Sequence, residues 1–298
     1  MAIAPQIPPA QQQQVVALQE QLRAAPQSPS NEYGDMFKGM RGIPTADIKQ
    51  EEFLRIAILG LPKTGKSWFA ATAPKPIAYY DFDRRAASLA GKPGVFITSL
   101  YDANQEKPTA MTTLESELSM WQMKKLKGQP IPATFVFDSV TYMKEYMENE
   151  IMKQDSSLAR IVKVGPARKV FIGKNYDLIN AVERYIKYWI SEFSSLGNII
   201  FVFHERNEKD QLRSTKDETK FTGKVTVDPQ YLAKVLSLFN EVFRIEIGPK
   251  NVYTVTCKPD EEILASTTLL LNATEPPDLM AMLAKHKAEK AKLKSPWL

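Results

Sequence analysis

The residues whose types and spacing could do chemistry begin at Gly60. The run Gly60, Leu61, Pro62, Lys63, Thr64, Gly65, Lys66, Ser67 reads G-x-x-x-x-G-K-S, and Trp68 follows it. In this spacing Gly65 lets the backbone turn so that successive N–H groups point inward around phosphate oxygens. Lys66 places a point charge on the β- and γ-phosphates, and the Ser67 hydroxyl is a ligand for Mg²⁺. A helix starting here adds its positive end to the cradle. The motif stands between an apolar run, "RIAILG", and an alanine-rich helical pattern, which is the context such a loop requires. Gly60 to Trp68 are therefore the candidate nucleotide site, with ATP and Mg²⁺ as expected cofactors. No N-K-x-D pattern that would specify guanine is present, so ATP is the default.

A phosphate cradle needs a second carboxylate for the metal's water shell. "ATFVFDSV" places Asp138 at the carboxyl end of an apolar strand pattern, where ligands of open α/β sheets bind. The competing reading is an acid that caps the helix after the strand. A further acidic pair, Asp81 and Asp83 in "YYDFDRR", stands two residues apart at the end of another apolar run. Such residues share one face of a strand, so both could face the site. Alternatively the strand end is simply paired with Arg84 or Arg85.

The elements that must position these groups are legible from periodicity. Residues 55–60, 76–83, 94–100, 133–140 and 198–204 are short, nearly continuous apolar runs, as strands buried on both faces of a parallel sheet are. Helical patterns follow Lys66, span about 112–127, start near Val140 and cover roughly 176–195. The alternation predicts an α/β fold. Two later runs, 241–247 and 251–257, are separated by Gly-Pro-Lys and read as a hairpin at the sheet's edge. A helix is expected from Asp278 into a Lys-rich end.

The 298 residues are 44% hydrophobic, enough for a sizeable core. One cysteine, Cys257, excludes an internal disulfide. Two histidines, His204 and His286, without metal-ligand spacing argue against a structural zinc. No apolar run reaches the roughly 18 residues of a membrane span, and the first residues lack the charge and apolar regions of a signal peptide. A cytoplasmic protein without a membrane partner is expected. The net charge of +5 mildly favours a polyanionic partner. Residues 1–45 are rich in Gln and Pro and read as a flexible arm. Residues 46–275 read as the nucleotide-binding domain and 276–298 as a basic helical tail.

The order of these parts resembles the RecA-type ATPase core over about Arg55 to Ala273. It is most similar to phage-encoded RecA-like ATPases of single-strand annealing and recombination. The resemblance implies an ATP hydrolase, with a mostly parallel sheet covered by helices on both faces. It implies that Asp83 polarises the attacking water, although the family's usual residue there is the longer Glu. It implies that His204, ending "NIIFVFH", senses the γ-phosphate and signals to the segment 205–228. It implies a homo-oligomer, with Lys258 after the last strand as a basic finger toward a neighbour's phosphate. It also implies single-stranded DNA as a partner, gripped by loops. The first candidate, 156–175, holds Arg160, Lys163, Arg168, Lys169 and Lys174 without an acid, with Phe171 among them. Basic groups neutralise phosphates and an aromatic stacks a base. The second, 205–228, carries six basic and six acidic residues, so it is no electrostatic funnel. The arm or tail would meet replication or recombination proteins, in the host cytoplasm if the chain is phage-encoded. Two rival readings remain: an ATP-gated loader with little hydrolysis and no direct DNA binding, and a small-molecule kinase, which lacks the expected Arg-rich lid.

Overall fold

The computed structural model describes residues 53–101, 108–155, 159–164, 168–173, 175–207, 225–227, 230–259 and 265–293. The chain divides between Glu51 and Glu52, and every described residue lies after that division. The expected arm, residues 1–45, lies outside the described residues.

Along the chain, β1 (Arg55–Leu59) leads into α1 (Lys66–Ala70). β2 (Ile77–Asp81), β3 (Val95–Ser99) and α2 (Ala110–Leu126) follow. Then come β4 (Thr134–Asp138), α3 (Val140–Gln154), β5 (Ala159–Val164), β6 (Arg168–Gly173) and α4 (Asn175–Ser194). β7 (Asn198–Val202) is followed by the short strands β8 (Glu205–Asn207) and β9 (Val225–Val227). β10 (Glu241–Ile247), β11 (Tyr253–Thr256), β12 (Thr274–Glu275) and α5 (Leu279–Leu293) complete the order.

Eight strands form one sheet in the order β12-β11-β10-β1-β7-β4-β2-β3. Every pairing from β10 to β3 is parallel, and only β11 runs against the others, pairing antiparallel with β10 and β12. This is the α/β arrangement expected from the alternation of strands and helices, with the mostly parallel sheet that the family resemblance implied. β1, β2, β4 and β7 are buried almost throughout, because helices cover both faces of the sheet. Alternate residues feed two cores. One face sends Tyr80, Phe135, Phe137 and Phe201 against Leu114 of α2, Met147 of α3 and Trp189 and Phe193 of α4. The other sends Ile58, Tyr79, Val136 and Ile245 against Phe69 of α1 and Leu279 and Met282 of α5.

The structure departs from the sequence pattern at particular elements. β3 is an edge strand, and Phe96 is 68% exposed rather than buried on both faces. The 241–247 and 251–257 hairpin does form, but β10 lies inside the sheet against β1, and β12 takes the edge. The helix after Lys66 runs only five residues. Pro74 and Pro76 follow closely, and proline disfavours helical backbone at the residue before it. Within the basic segment 156–175, expected as a loop, the described residues form a two-stranded ribbon. β5 pairs antiparallel with β6, and Lys163 stands opposite Lys169 and Ile161 opposite Phe171.

Phe193 is the hinge of the first core. Its ring lies 5.1 Å from that of Phe135, 5.0 Å from Phe137 and 5.8 Å from Tyr80. Replacing it leaves a cavity beneath β2 and β4. Phe193→Ala is expected to cost about 3–5 kcal/mol of stability, read as a lower urea midpoint.

Candidate nucleotide and catalytic site

The site begins where β1 ends. Gly60 and Gly65 hold positive φ, and a Cβ on Gly60 would meet the Ile245 carbonyl oxygen at 2.7 Å. Only glycine lets the loop pass that close to β10. The Lys66 ammonium turns back on the loop and donates to the carbonyl oxygens of Gly60 at 2.8 Å and Leu61 at 2.7 Å. Burial lowers its pKa to about 8, against the opposing pull of Asp138, Glu205 and Asp83. Because α1 is short, its macrodipole adds little. The cradle is instead the loop's backbone N–H groups, with Lys66 as the cation.

β4 brings Asp138 to the same place. Its carboxylate is 6% exposed and accepts a 2.5 Å hydrogen bond from the Ser67 hydroxyl and a second from the Tyr79 hydroxyl. Burial raises its pKa, while Ser67, Tyr79 and Lys66 oppose the rise. The backbone links β4 onward, because the Phe82 N–H donates to the Asp138 carbonyl at 2.7 Å. The chain leaving β2 therefore runs past the site.

The acidic pair separates into two tasks. Asp81 accepts from the N–H groups of Asp83 at 3.3 Å, Arg85 at 3.2 Å and Ala86 at 3.0 Å. Its carboxylate is taken up in shaping the turn. Asp83 lies beyond the strand, 3.6 Å from the Arg85 guanidinium and 4.0 Å from His204 Nε2. The alternative pairing with an arginine and the placement toward the site thus occur together. Burial, then the Asp138 charge, push Asp83 up to about 7.

His204 reaches this cluster because the chain after β7 continues beside β1. Phe203 N–H donates to Ile58 and Glu205 N–H to Gly60. Neither ring nitrogen of His204 has a hydrogen-bond partner among the described residues. Burial first, then Lys66 and Arg85, lower its pKa to about 4, so the ring is neutral near pH 7. A buried polar group left without a partner is costly unless something else satisfies it.

Sequence reasoning missed Glu205 and Arg244. Arg244 Nε donates to both Glu205 carboxylate oxygens at 3.0 Å, and its Nη1 bonds Glu246. Both partners of the first pair are buried beside the loop. The signal was the charged alternation in "EVFRIEI", where Arg and Glu interrupt an apolar strand. Arg244 offsets the Glu205 charge, which leaves Lys66 available to phosphate.

The structure does not bring Lys258 to this cluster. It is exposed just after β11, and β11 runs antiparallel to β10, away from the loop. The basic residue at the loop end of the hairpin is Lys250, exposed in the turn between the two strands. The side chains of Arg160, Lys163, Arg168, Lys169 and Phe171, and all of Lys174, lie outside the described residues, as do residues 208–224. Among the described residues no helix is long and apolar enough to cross a membrane.

The donor set fits a magnesium nucleotide. A hydroxyl and a carboxylate meet at 2.5 Å, with an ammonium held on the glycine loop beside them. Hard cations take oxygen ligands, and phosphates take backbone N–H groups and lysine. Fold and site together define a P-loop nucleotide-binding protein. The sequence model described as an AAA domain matches residues 52–269, and the chain belongs to that family. Among solved structures it is similar to a KaiC-like protein of the hyperthermophilic archaeon Pyrococcus horikoshii OT3. That similarity has 11% identity, 72% coverage of this chain, 83% coverage of the other and a TM-score of 0.33. No curated protein matches.

Asp83 generates a pH prediction with a definite sign. Its folded pKa of about 7 exceeds the ordinary 3.8, so the fold disfavours the ionised form. The penalty is absent when the group is protonated in both states, grows as pH rises from about 4 to about 7, and is complete above that. Asp83→Asn should therefore melt at a higher temperature than the wild type near pH 8 and at the same temperature near pH 3. Thermal unfolding at the two pH values reads the difference.

Proposed function

We propose that this protein is a magnesium-dependent ATP hydrolase whose cycle is coupled to single-stranded DNA. The observation that carries the hydrolase half is the convergence of five side chains at the ends of β1, β2, β4 and β7. Lys66 and Ser67 sit on the loop. Asp138 hydrogen-bonds Ser67 at 2.5 Å, and Asp83 and His204 face each other at 4.0 Å.

In this reading Lys66 leaves the Gly60 and Leu61 carbonyls to hold the β- and γ-phosphates. Ser67 and Asp138 would hold Mg²⁺, which neutralises developing phosphate charge when bound. Asp83 accepts the proton of the attacking water. A base must be ionised to do so, so hydrolysis falls as pH drops below about 7. His204, neutral and with no ring-nitrogen hydrogen bond among the described residues, donates one ring N–H toward the phosphate end and carries its state into β8, the strand that continues from it. Lys66→Ala is expected to abolish ATP binding with the fold intact. ATP turnover at the wild-type rate in that variant would refute the assignment.

The DNA half rests on charge arithmetic and on the β5–β6 ribbon. The ribbon segment carries five basic residues and no acid, whereas 205–228 is balanced at six and six. Each neutralised phosphate contributes about −0.7 to the salt slope for single strands. If both residues touch phosphate, alanine at Lys163 and Lys169, paired across the ribbon, should weaken binding and flatten the slope by about 1.4. Alanine at Lys216 and Lys220 should leave the slope nearly unchanged. The measurement is single-stranded DNA affinity at several salt concentrations, with ATPase rate followed as DNA is added. A protein that binds ATP but neither binds DNA nor is stimulated by it is instead an ATP-gated loader. The short Asp83 in place of a glutamate is the observation favouring that second reading.

A further inference from the structure

Two arginines, Arg84 and Arg85, follow Asp83 where the chain leaves β2. We infer that Arg85 is a further catalytic residue: its guanidinium leaves Asp83 and takes the γ-phosphate oxygens of the nucleotide bound by the same chain, while Arg84 has no part in the site. This rests on the hydrolase reading of the site and goes beyond it, by naming the group that balances the phosphate charge. It sets a cation of the chain itself in the place of a neighbour's Lys258, which the structure does not bring to this cluster.

The turn after β2 sends the two arginines to different places. Arg84 takes a left-handed φ of 59° and is exposed, and its guanidinium lies 5.1 Å from the centre of the Tyr101 ring. That is cation–π range, so Arg84 is packed on an aromatic face. Arg85 turns toward the site instead. Its Nε lies 3.6 Å from Asp83 Oδ2, the same oxygen that stands 4.0 Å from His204 Nε2. Its charge is felt at Lys66 as well as at His204.

The backbone of Arg85 is pinned while its side chain is not. Its N–H donates to Asp81 Oδ1 at 3.2 Å and to Asp83 Oδ1 at 3.1 Å. The guanidinium is 62% exposed, and at 3.6 Å it stands beyond hydrogen-bond distance of Asp83. A loose pair with one exposed partner contributes little, so little is lost when Arg85 swings away. A phosphate offers the planar guanidinium two parallel, charge-assisted hydrogen bonds in return. The neighbouring Arg244 is already committed to Glu205 and Glu246.

Electrostatics favours the exchange. Lys66 already stands in the field of three carboxylates, Asp138, Glu205 and Asp83. Phosphates arriving in the loop add negative charge to the same place. A second cation offsets that charge, most of all in the transition state, where it is spread over the oxygens of the transferring γ-phosphoryl group. The departure of Arg85 also uncovers Asp83 Oδ2 for the attacking water. One side-chain movement therefore supplies the cation and frees the base.

The test compares the full chain with its Arg85→Ala, Arg85→Lys, Arg84→Ala and Lys66→Ala variants. Arg85→Ala should lower kcat by about 1,000-fold or more and keep calorimetric Mg-ATP affinity within about five-fold. Its affinity for Mg-ADP with aluminium fluoride, a mimic of the phosphoryl group in transit, should fall by about 100-fold. Arg85→Lys, which keeps the charge without the fork, should recover part of kcat. Arg84→Ala should stay within about two-fold of wild type throughout. Phenylglyoxal, which modifies guanidinium groups, gives a readout that needs no variant and no turnover. Followed by mass spectrometry, Mg-ADP with aluminium fluoride should shield Arg85 and leave Arg84 labelled as before, so the labelling decides the matter even if Arg85→Ala unfolds. A mixture of Arg85→Ala and Lys66→Ala should stay inactive, because the cation comes from the chain that holds the nucleotide. Normal kcat in Arg85→Ala, ATP affinity lost as steeply as kcat, unshielded Arg85, or activity regained in the mixture would each overturn the inference. A wild-type chain that binds Mg-ATP and does not hydrolyse it brings down the hydrolase reading itself, a result distinct from loss of the Arg85 role alone.

Discussion

The buried Asp138 carboxylate is the constraint on which the rest of the site depends. A carboxylate taken out of water is costly unless it is paired and hydrogen-bonded. Here it accepts from Ser67 and Tyr79 and lies within the field of Lys66. Those partners come from the phosphate loop and from β2. For them to meet, β4 must lie next to β2 and one strand away from β1, with β7 between. The strand order is therefore what makes the charged centre tolerable.

The same geometry explains why so many pKa values move together. Burial is the leading cause at Lys66, Asp83, Asp138, His204 and Glu205 alike. The carboxylates rise, while the amine and imidazole fall, which is the pattern of a site drawn partly out of water. Opposite charges temper each shift without cancelling it. Perturbed groups clustered at strand ends suit nucleotide chemistry, because a cation held near neutrality and a base that titrates near 7 both respond to an arriving polyanion. The Arg244–Glu205 pair lies behind this cluster and keeps a second buried carboxylate from competing for Lys66.

The hairpin at the loop end of the sheet links the phosphate cradle to the rest of the molecule. β10 touches the loop through Ile245, and β11 delivers Tyr253 against Gly65. The turn between them carries Lys250 on the same end of the sheet. One supersecondary unit thus shapes the loop, supplies an aromatic wall and presents a cation, whereas Lys258 is carried to the opposite end by the antiparallel direction of β11.

Much of this molecule was legible in its residues. The G-x-x-x-x-G-K-S spacing demanded a glycine-turned phosphate loop. The apolar runs that became β1, β2, β4 and β7 could only be strands covered on both faces, because their side chains are apolar at consecutive positions. Asp138 was recognisable because it ends such a run. Other features depended on neighbours that no local pattern names. Phe96 reads as core, yet β3 falls at the edge of the sheet, where no described strand pairs with its outer side. Asp81 and Asp83 look equivalent by alternation. The turn after β2 decided between them, because its backbone N–H groups converge on Asp81 and leave Asp83 beside His204. Glu205 and Arg244 lie 39 residues apart. They met only because β7 and β10 both flank β1, and pairing at that distance is a property of strand order rather than of sequence.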